Sequence, residues 1–222
     1  MMKRFVVITL FPEMFEPVLG SSMMWKAQKD QKAEFQLINL RDYGLGPRRQ
    51  VDDKPFGGGA GMLLMIEPLT KAIEQARQIL PRAKVLLMTP AKTVWDQKRA
   101  QLHAKNDDDY IIVCGRYEGF DARVEGLVDE KISVGRYVLT GGELPAMIVI
   151  DSIVRLLPGV LGGGDEATAI ESYSQLDALE YPQYTRPEEY EGKRVPKVLL
   201  SGNHALIGKW RREHQIDLSA DS

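Results

Sequence analysis

Short apolar runs alternate along the chain with longer segments in which apolar residues recur every three or four positions. The first run, 5–11, is rich in β-branched residues and ends at Pro12, which is typical of a buried strand. Further strands are predicted at 35–40, 85–89, 110–114 and 131–134. Helices are predicted within 12–33 and over 67–80, 95–104 and about 146–157. This alternation predicts an α/β fold with a mostly parallel sheet covered by helices.

Short motifs rich in Gly, Pro or charged residues follow three of the predicted strands. Thr89-Pro90 follows the third strand, Gly115-Arg-Tyr-Glu-Gly119 the fourth, and the segment 138–145 lies beyond the fifth. Ligands of such sheets bind beyond the carboxyl ends of the strands, where glycines let the backbone approach them closely. Each glycine alone could equally mark a tight turn, but Arg116, Glu118 and Glu143 add charged groups that a turn does not require.

Several common site motifs are absent from the sequence. The glycines at 57–61 lack the spacing of a dinucleotide-binding loop, and 202–209 has one residue too many for a phosphate-binding P-loop. There is no nucleophile elbow, and three scattered histidines do not form a zinc motif. Cys114, at the end of an apolar strand, is interpreted as a small packed side chain rather than a nucleophile.

Composition adds a cellular context and a local charge signal. The 222 residues are 44% hydrophobic and 27% charged, as expected of a globular protein, with a net charge of −2. The segment 186–214 nevertheless holds seven Lys or Arg against four Glu, so a basic surface is expected near the carboxyl terminus. One cysteine, no cleavable leader and no membrane-length apolar stretch favour a soluble cytoplasmic protein with no membrane partner.

These motifs, taken together, resemble the tRNA (guanine-N1)-methyltransferase family, the TrmD enzymes of the SPOUT superfamily. The resemblance runs along nearly the whole chain in one order. Its segments are Leu10-Phe-Pro-Glu-Met-Phe15, Val51-Asp-Asp53, Phe56-Gly-Gly-Gly59, Cys114–Gly119, Ser133-Val-Gly135, Tyr137–Pro145, Pro158–Gly162, Tyr184-Thr-Arg-Pro187 and Val198–His204.

The resemblance implies an α/β fold with a SPOUT-type deep trefoil knot and a small helical carboxy-terminal domain. Residues 1–161 would form the knotted catalytic domain that binds S-adenosylmethionine. The glycine-rich stretch that begins at 162 would form a flexible linker or lid over 162–176, and 177–222 would form a helical tRNA-binding domain. A homodimer with composite active sites is also implied.

The implied reaction is methyl transfer from S-adenosyl-L-methionine to N1 of guanosine 37, the base 3′ of the tRNA anticodon. By position in the family motifs, thirteen residues would form the methyl-donor pocket: Pro90, Gly115, Tyr117, Glu118, Gly119, Ser133, Val134, Gly135, Tyr137, Leu139, Gly141, Gly142 and Pro145. Mg2+ enters as a possible cofactor through the resemblance alone.

Two catalytic residues are expected from the same resemblance. Arg155 falls on the arginine that faces the target base, and Glu171 aligns with the catalytic aspartate of the family. Guanine N1 carries a proton that a carboxylate can accept, and a guanidinium can stabilise the negative charge that grows on O6. Asp165 or Asp177 would serve as the base if the register of this segment differs.

Two other interpretations keep the fold but change the activity. One is a catalytically impaired tRNA-binding SPOUT protein, in which the change from Asp to Glu at 171 abolishes turnover. The other is a SPOUT methyltransferase that acts on ribosomal RNA or on a ribose. The intact pocket glycines argue against the first, and the carboxy-terminal motifs argue against the second.

Overall fold

The computed structural model describes residues 2–162, 171–173 and 178–218, and the chain divides into two compact units, 1–162 and 163–222. The predicted linker over 162–176 lies largely outside the described residues, as do Asp165 and Asp177. Across the described ranges no helix is long and apolar enough to cross a bilayer.

The first unit is built on a five-stranded sheet in which every neighbouring pair is parallel. Its strands are β1 (Lys3–Thr9), β2 (Ala33–Asn39), β5 (Lys84–Met88), β6 (Tyr110–Cys114) and β7 (Glu130–Ile132). Their spatial order is β2, β1, β6, β5, β7. The predicted mostly parallel α/β fold is confirmed, and the five predicted strands overlap these five.

Strand β1 lies inside the sheet, and one of its two partners is far along the chain. Phe5 pairs with Phe35 of β2 on one side and with Tyr110 of β6 on the other. At the start of the strand, the buried Lys3 ammonium donates to the backbone oxygens of Asn106 and Asp108 at 2.6 and 3.0 Å. Burial lowers the pKa of Lys3.

Helices cover both faces of the sheet. They are α1 (Glu16–Leu19), α2 (Ser22–Lys29), α3 (Ile66–Ile79), α4 (Gln97–Lys105) and α5 (Glu143–Val154). Successive strand residues alternate between two apolar clusters, so Val7 and Ile112 face α2, α4 and α5, whereas Val6 and Ile111 face α3. Burial on both faces explains why the strands read as continuous apolar runs rather than alternating ones.

Helix α5 begins earlier than the sequence pattern predicted. The pattern predicts a start at about Ala146, after the segment 138–145. The helix instead begins at Glu143, and Pro145 occupies its first turn, where a backbone N–H has no helical partner to lose.

Short elements complete the first unit. Three 3-10 helices span Pro12–Met14, Leu40–Tyr43 and Ala122–Leu127, and β3 (Asp52–Asp53) pairs with β4 (Leu63–Leu64). These strands of two residues are too short for a periodic pattern and were not predicted.

The second unit contains two helices among its described residues, α6 (Lys197–Leu200) and α7 (His204–Glu213). It also holds two short antiparallel pairs that the sequence pattern did not indicate. One joins β9 (Glu189–Tyr190) to β10 (Lys193–Arg194), and the other joins β8 (Ala178–Leu179) to β11 (Ile216–Asp217). Trp210 of α7 stacks on His214, with ring centroids 4.1 Å apart.

Candidate active site

A cavity of about 760 Å3, its open mouth included, lies beyond the carboxyl ends of β5, β6 and β7. Its walls come from the segment after each strand, from the loop 137–142 and from the first turn of α5. The cavity therefore occupies the position at which parallel α/β sheets bind ligands.

All thirteen residues that the sequence assigned to a methyl-donor pocket line this cavity. They come from four separate segments, and folding brings them together because parallel strands end at one edge of the sheet. Their assignment as donor-binding residues stays a prediction. The cavity also has lining residues that the sequence analysis did not assign to it: Met88, Thr89, Arg116, Phe120, Ile132, Val138 and Thr140. Each of these residues lies next to, or two positions from, a residue that the sequence did assign, and this closeness along the chain is the signal that could have identified them.

The loop after β6 is held in an uncommon conformation. Tyr117 has a φ of 58°, in the left-handed region that side chains with a Cβ rarely adopt, and its ring is 48% exposed at the cavity. The Glu118 N–H donates to the Met62 oxygen at 3.0 Å, and the Leu64 N–H donates to the Gly119 oxygen at 2.9 Å. These bonds hold the strained loop against β4, as expected at sites where conformation serves binding.

The loop 137–142 contacts the loop after β6 through backbone atoms. The Gly142 N–H donates to the Gly115 oxygen at 2.8 Å. A Cβ on Gly142 would lie 2.6 Å from the Gly115 nitrogen and 2.8 Å from the Cys114 Cα, closer than real contacts allow. Glycine is therefore required at 142 because two backbones meet there.

Both apolar and polar residues line the cavity. Pro90, Val134, Leu139 and Pro145 are apolar members of the lining, and Glu118 and Ser133 are polar ones. The Ser133 Oγ donates to the Gly135 oxygen at 2.8 Å, which fixes the turn after β7. This combination suits a ligand with an apolar ring and a few hydrogen-bonding groups.

The two predicted catalytic residues occupy different parts of the chain. Arg155 caps the carboxyl end of α5, with its N–H bonded to the Asp151 oxygen at 3.0 Å, and is half-buried. Glu171 belongs to the second unit and is also half-buried. Among the described residues, neither is part of the cavity lining, and their catalytic roles stay predictions.

Cys114 ends β6 directly beneath the cavity. Its side chain is buried, and burial raises the pKa of the thiol, with the negative charge of Glu143 adding to the effect. A thiol that stays protonated is a poor nucleophile, which agrees with the interpretation of Cys114 as a packing residue. Within the described ranges no group of three metal-ligating side chains comes together.

The fold and cavity define an α/β protein with a cavity at the carboxyl edge of a parallel sheet, where such folds bind ligands. Comparison with known proteins identifies the family. The model of the tRNA (guanine-1)-methyltransferase TrmD family matches residues 2–221. The chain belongs to this family, and the resemblance noted in the sequence is confirmed.

Individual relatives agree with the family model. The chain is 49% identical to the tRNA (guanine-N(1)-)-methyltransferase of Bacillus subtilis over 211 residues, which cover 94% of this chain and 86% of the relative. It is 50% identical to the protein of that name from Syntrophotalea carbinolica, over 96% of this chain and 85% of the relative. The crystal structure of tRNA (m1G37) methyltransferase from Aquifex aeolicus matches with a TM-score of 0.79 and 38% identity, covering 96% and 89% of the two chains.

Proposed function

We propose that the protein is a tRNA (guanine(37)-N1)-methyltransferase that uses S-adenosyl-L-methionine. Family membership over residues 2–221 indicates the reaction. The observation that carries the proposal is the cavity itself, because thirteen residues selected from motifs in separate segments line one pocket.

The cavity residues fit this donor. Backbone groups at Gly115, Gly141 and Gly142 are close to the pocket surface, and apolar side chains beside them suit an adenine ring. The Glu118 carboxylate supplies a negative charge suited to a cationic donor. When bound, S-adenosylmethionine supplies an electrophilic methyl group on a sulfonium centre.

The chain's own residues carry the proton and charge changes of the reaction. The Glu171 carboxylate accepts the proton from N1 of the guanine, and the Arg155 guanidinium stabilises negative charge on O6. Glutamate retains the carboxylate of the family aspartate and adds one methylene, so the same chemistry remains available at 171. Mg2+ dependence is tested by assaying with and without a chelator.

The outer surface of α5 supports a homodimer. Leu144 and Ile148, one turn apart, are 53% and 46% exposed, and Val138 beside the cavity is 86% exposed, although α5 is apolar on its inner face too. A helix that exposes large apolar side chains on its outer face while its inner face is already buried is normally covered there by a partner. We propose that a second copy of the chain covers this surface, and that base and donor are then held by different subunits.

The second unit is proposed to bind tRNA. Lys193, Lys197 and Arg212 are exposed there, and such side chains neutralise backbone phosphates. Each phosphate contact releases bound counterions, so tRNA affinity should fall steeply as salt concentration rises. The same proposal includes the trefoil knot and three functional segments. Residues 1–161 form the catalytic domain, 162–176 the linker or lid, and 177–222 the tRNA-binding domain.

Methylation of two tRNA transcripts tests the function. Transcripts with G or A at position 37 are incubated with labelled donor, and the modified base is located by a primer-extension stop. Label incorporated at G37 alone is the expected result. Donor binding by calorimetry without turnover would instead indicate the catalytically impaired protein. Label on a ribose of the transcript, or label in a parallel reaction with ribosomal RNA but none in tRNA, would indicate a different substrate.

A further inference from the structure

Glu143 is a buried carboxylate to which the proposed reaction assigns no role. It is the first residue of α5, and its side chain is fully buried. Its Oε1 accepts a 2.9 Å hydrogen bond from the Thr9 Oγ1, and Thr9, the last residue of β1, is itself fully buried. Since a buried charge is costly unless it is paired, the surroundings of Glu143 must supply a cation.

That cation is Arg116, in the loop after β6. Its Nε lies 2.9 Å from the Glu143 Oε2 as a charge pair, although the two atoms are not aligned as a hydrogen bond. The guanidinium carbon lies 4.4 Å from the centre of the Phe11 ring, and Nη2 lies 3.3 Å from the Met14 sulfur. Arg116 is thus held from below by Glu143 and from the side by the segment that follows β1.

The same pair joins two loops that form the cavity. Arg116 and Gly141 form a backbone bridge, and the Arg116 Nη1 lies 3.4 Å from the Thr140 oxygen. A Cβ on Gly141 would lie 2.4 Å from the Arg116 Nε and 2.6 Å from the Glu143 Oε2. The loop backbone therefore rests directly on the ion pair, and a displacement of the pair would move both 115–119 and 137–142.

We propose that Thr9, Glu143 and Arg116 form a positioning network that sets the spacing of the two donor-binding loops. Thr9 and Glu143 are positioning residues that act through Arg116, which alone of the three lines the cavity. The network holds the loops in the binding geometry before any ligand arrives, so less ordering remains to be done on binding. That the ligand is S-adenosylmethionine rests on the proposed function. The effect of the network on the order of the loops 115–119 and 137–142 does not depend on which ligand binds.

Four variants of the full-length protein test the network. Thr9→Val and Glu143→Gln remove the hydroxyl and the charge, Thr9→Ser retains the hydroxyl, and Glu130→Gln is a matched control. Glu130 pairs with Arg99 in the same unit, is partly buried, and does not line the cavity among the described residues. Calorimetry with S-adenosylmethionine in the absence of RNA gives Kd, and amide hydrogen exchange without donor gives the local order of 115–119 and 137–142.

Thr9→Val and Glu143→Gln should weaken donor binding about tenfold or more, and the exchange of those two loops should accelerate. Thr9→Ser and Glu130→Gln should stay within about threefold of the parent protein in Kd, with protected loops. The inference is overturned if Thr9→Val keeps the parent Kd and loop protection, if Thr9→Ser is as impaired as Thr9→Val, or if exchange rises equally throughout the first unit.

Two further outcomes remain decisive. If Glu143→Gln does not fold, the comparison of Thr9→Val with Thr9→Ser tests the network by itself. If the parent protein does not bind the donor, the proposed function fails at that step. Loop exchange in the ligand-free variants then still supports or overturns the network.

Discussion

Replacing Gly142 by alanine should damage the cavity although only one methyl group is added. The new Cβ would lie 2.6 Å from the Gly115 nitrogen, and contacts under 3.0 Å essentially do not occur, so the two loops must separate by at least about 0.4 Å. The neighbouring atoms are mostly backbone and cannot rotate away. Overpacking of this kind costs about 1–3 kcal/mol, which in a unit of this size lowers Tm by roughly 2–12 °C.

The matched control is Gly126→Ala in the same unit. A Cβ at 126 meets no atom within 4 Å, and the backbone there does not have a positive φ. Alanine at 126 should therefore be neutral or stabilise the protein by up to about 1 kcal/mol, since it restricts the unfolded chain.

Thermal unfolding and calorimetric donor binding of both variants check this prediction. We expect Gly142→Ala to bind S-adenosylmethionine at least about tenfold more weakly than Gly126→Ala, which corresponds to 1.4 kcal/mol or more. Equal Tm and equal Kd in the two variants would refute the argument that close backbone approach shapes the pocket. A lower Tm with unchanged Kd would show that the clash is absorbed away from the donor site.

Four further predictions concern catalysis, assembly and the thiol. Glu171→Gln should lower single-turnover methylation by roughly 100-fold or more with donor Kd unchanged, and undiminished turnover would remove Glu171 from the mechanism. Arg155→Lys should lower kcat more than donor affinity, because an ammonium cannot replace a planar guanidinium; a parallel loss of both would place Arg155 in the donor pocket. Co-expressed Gly142→Val and Glu171→Gln chains should form heterodimers with up to about half the parent activity, whereas inactive heterodimers would exclude shared sites. Cys114 should react with a thiol reagent at pH 8 about 100-fold more slowly in the folded protein than in guanidinium, and equal rates would contradict its burial.

The sheet and the cavity could be predicted from local patterns because the relevant signals are local. Apolar runs bounded by Pro12, Pro90 and Gly115 mark strand ends, and parallel strands necessarily end on one edge. The start of α5 was wrong by three residues for a related reason. Gly141, Gly142 and Pro145 are residue types common in turns, yet the helix already begins at Glu143.

The partners of Glu143 could not be predicted from a pattern. Thr9 lies 134 positions earlier in the chain, and nothing in the spacing of these residues connects them. Such a contact depends on which strands are neighbours in the sheet, and the hydropathy pattern of the strands does not determine their order. The strands of two residues, β3 and β4, escaped prediction because a period needs more residues than they have.

The distance between β1 and its second partner has a consequence for synthesis of the protein. At an elongation rate of about 5–20 residues per second, β1 and β2 leave the ribosome roughly 4–14 s before β6 does. Throughout that interval, the edge of β1 that will pair with β6 has no partner strand. The Lys3 ammonium also lacks the backbone oxygen of Asn106 that accepts its hydrogen bond in the folded protein. Open apolar edges pair readily with other chains. Nascent chains stalled between residues 40 and 110 should therefore be the species of this protein most dependent on chaperones and most prone to aggregate.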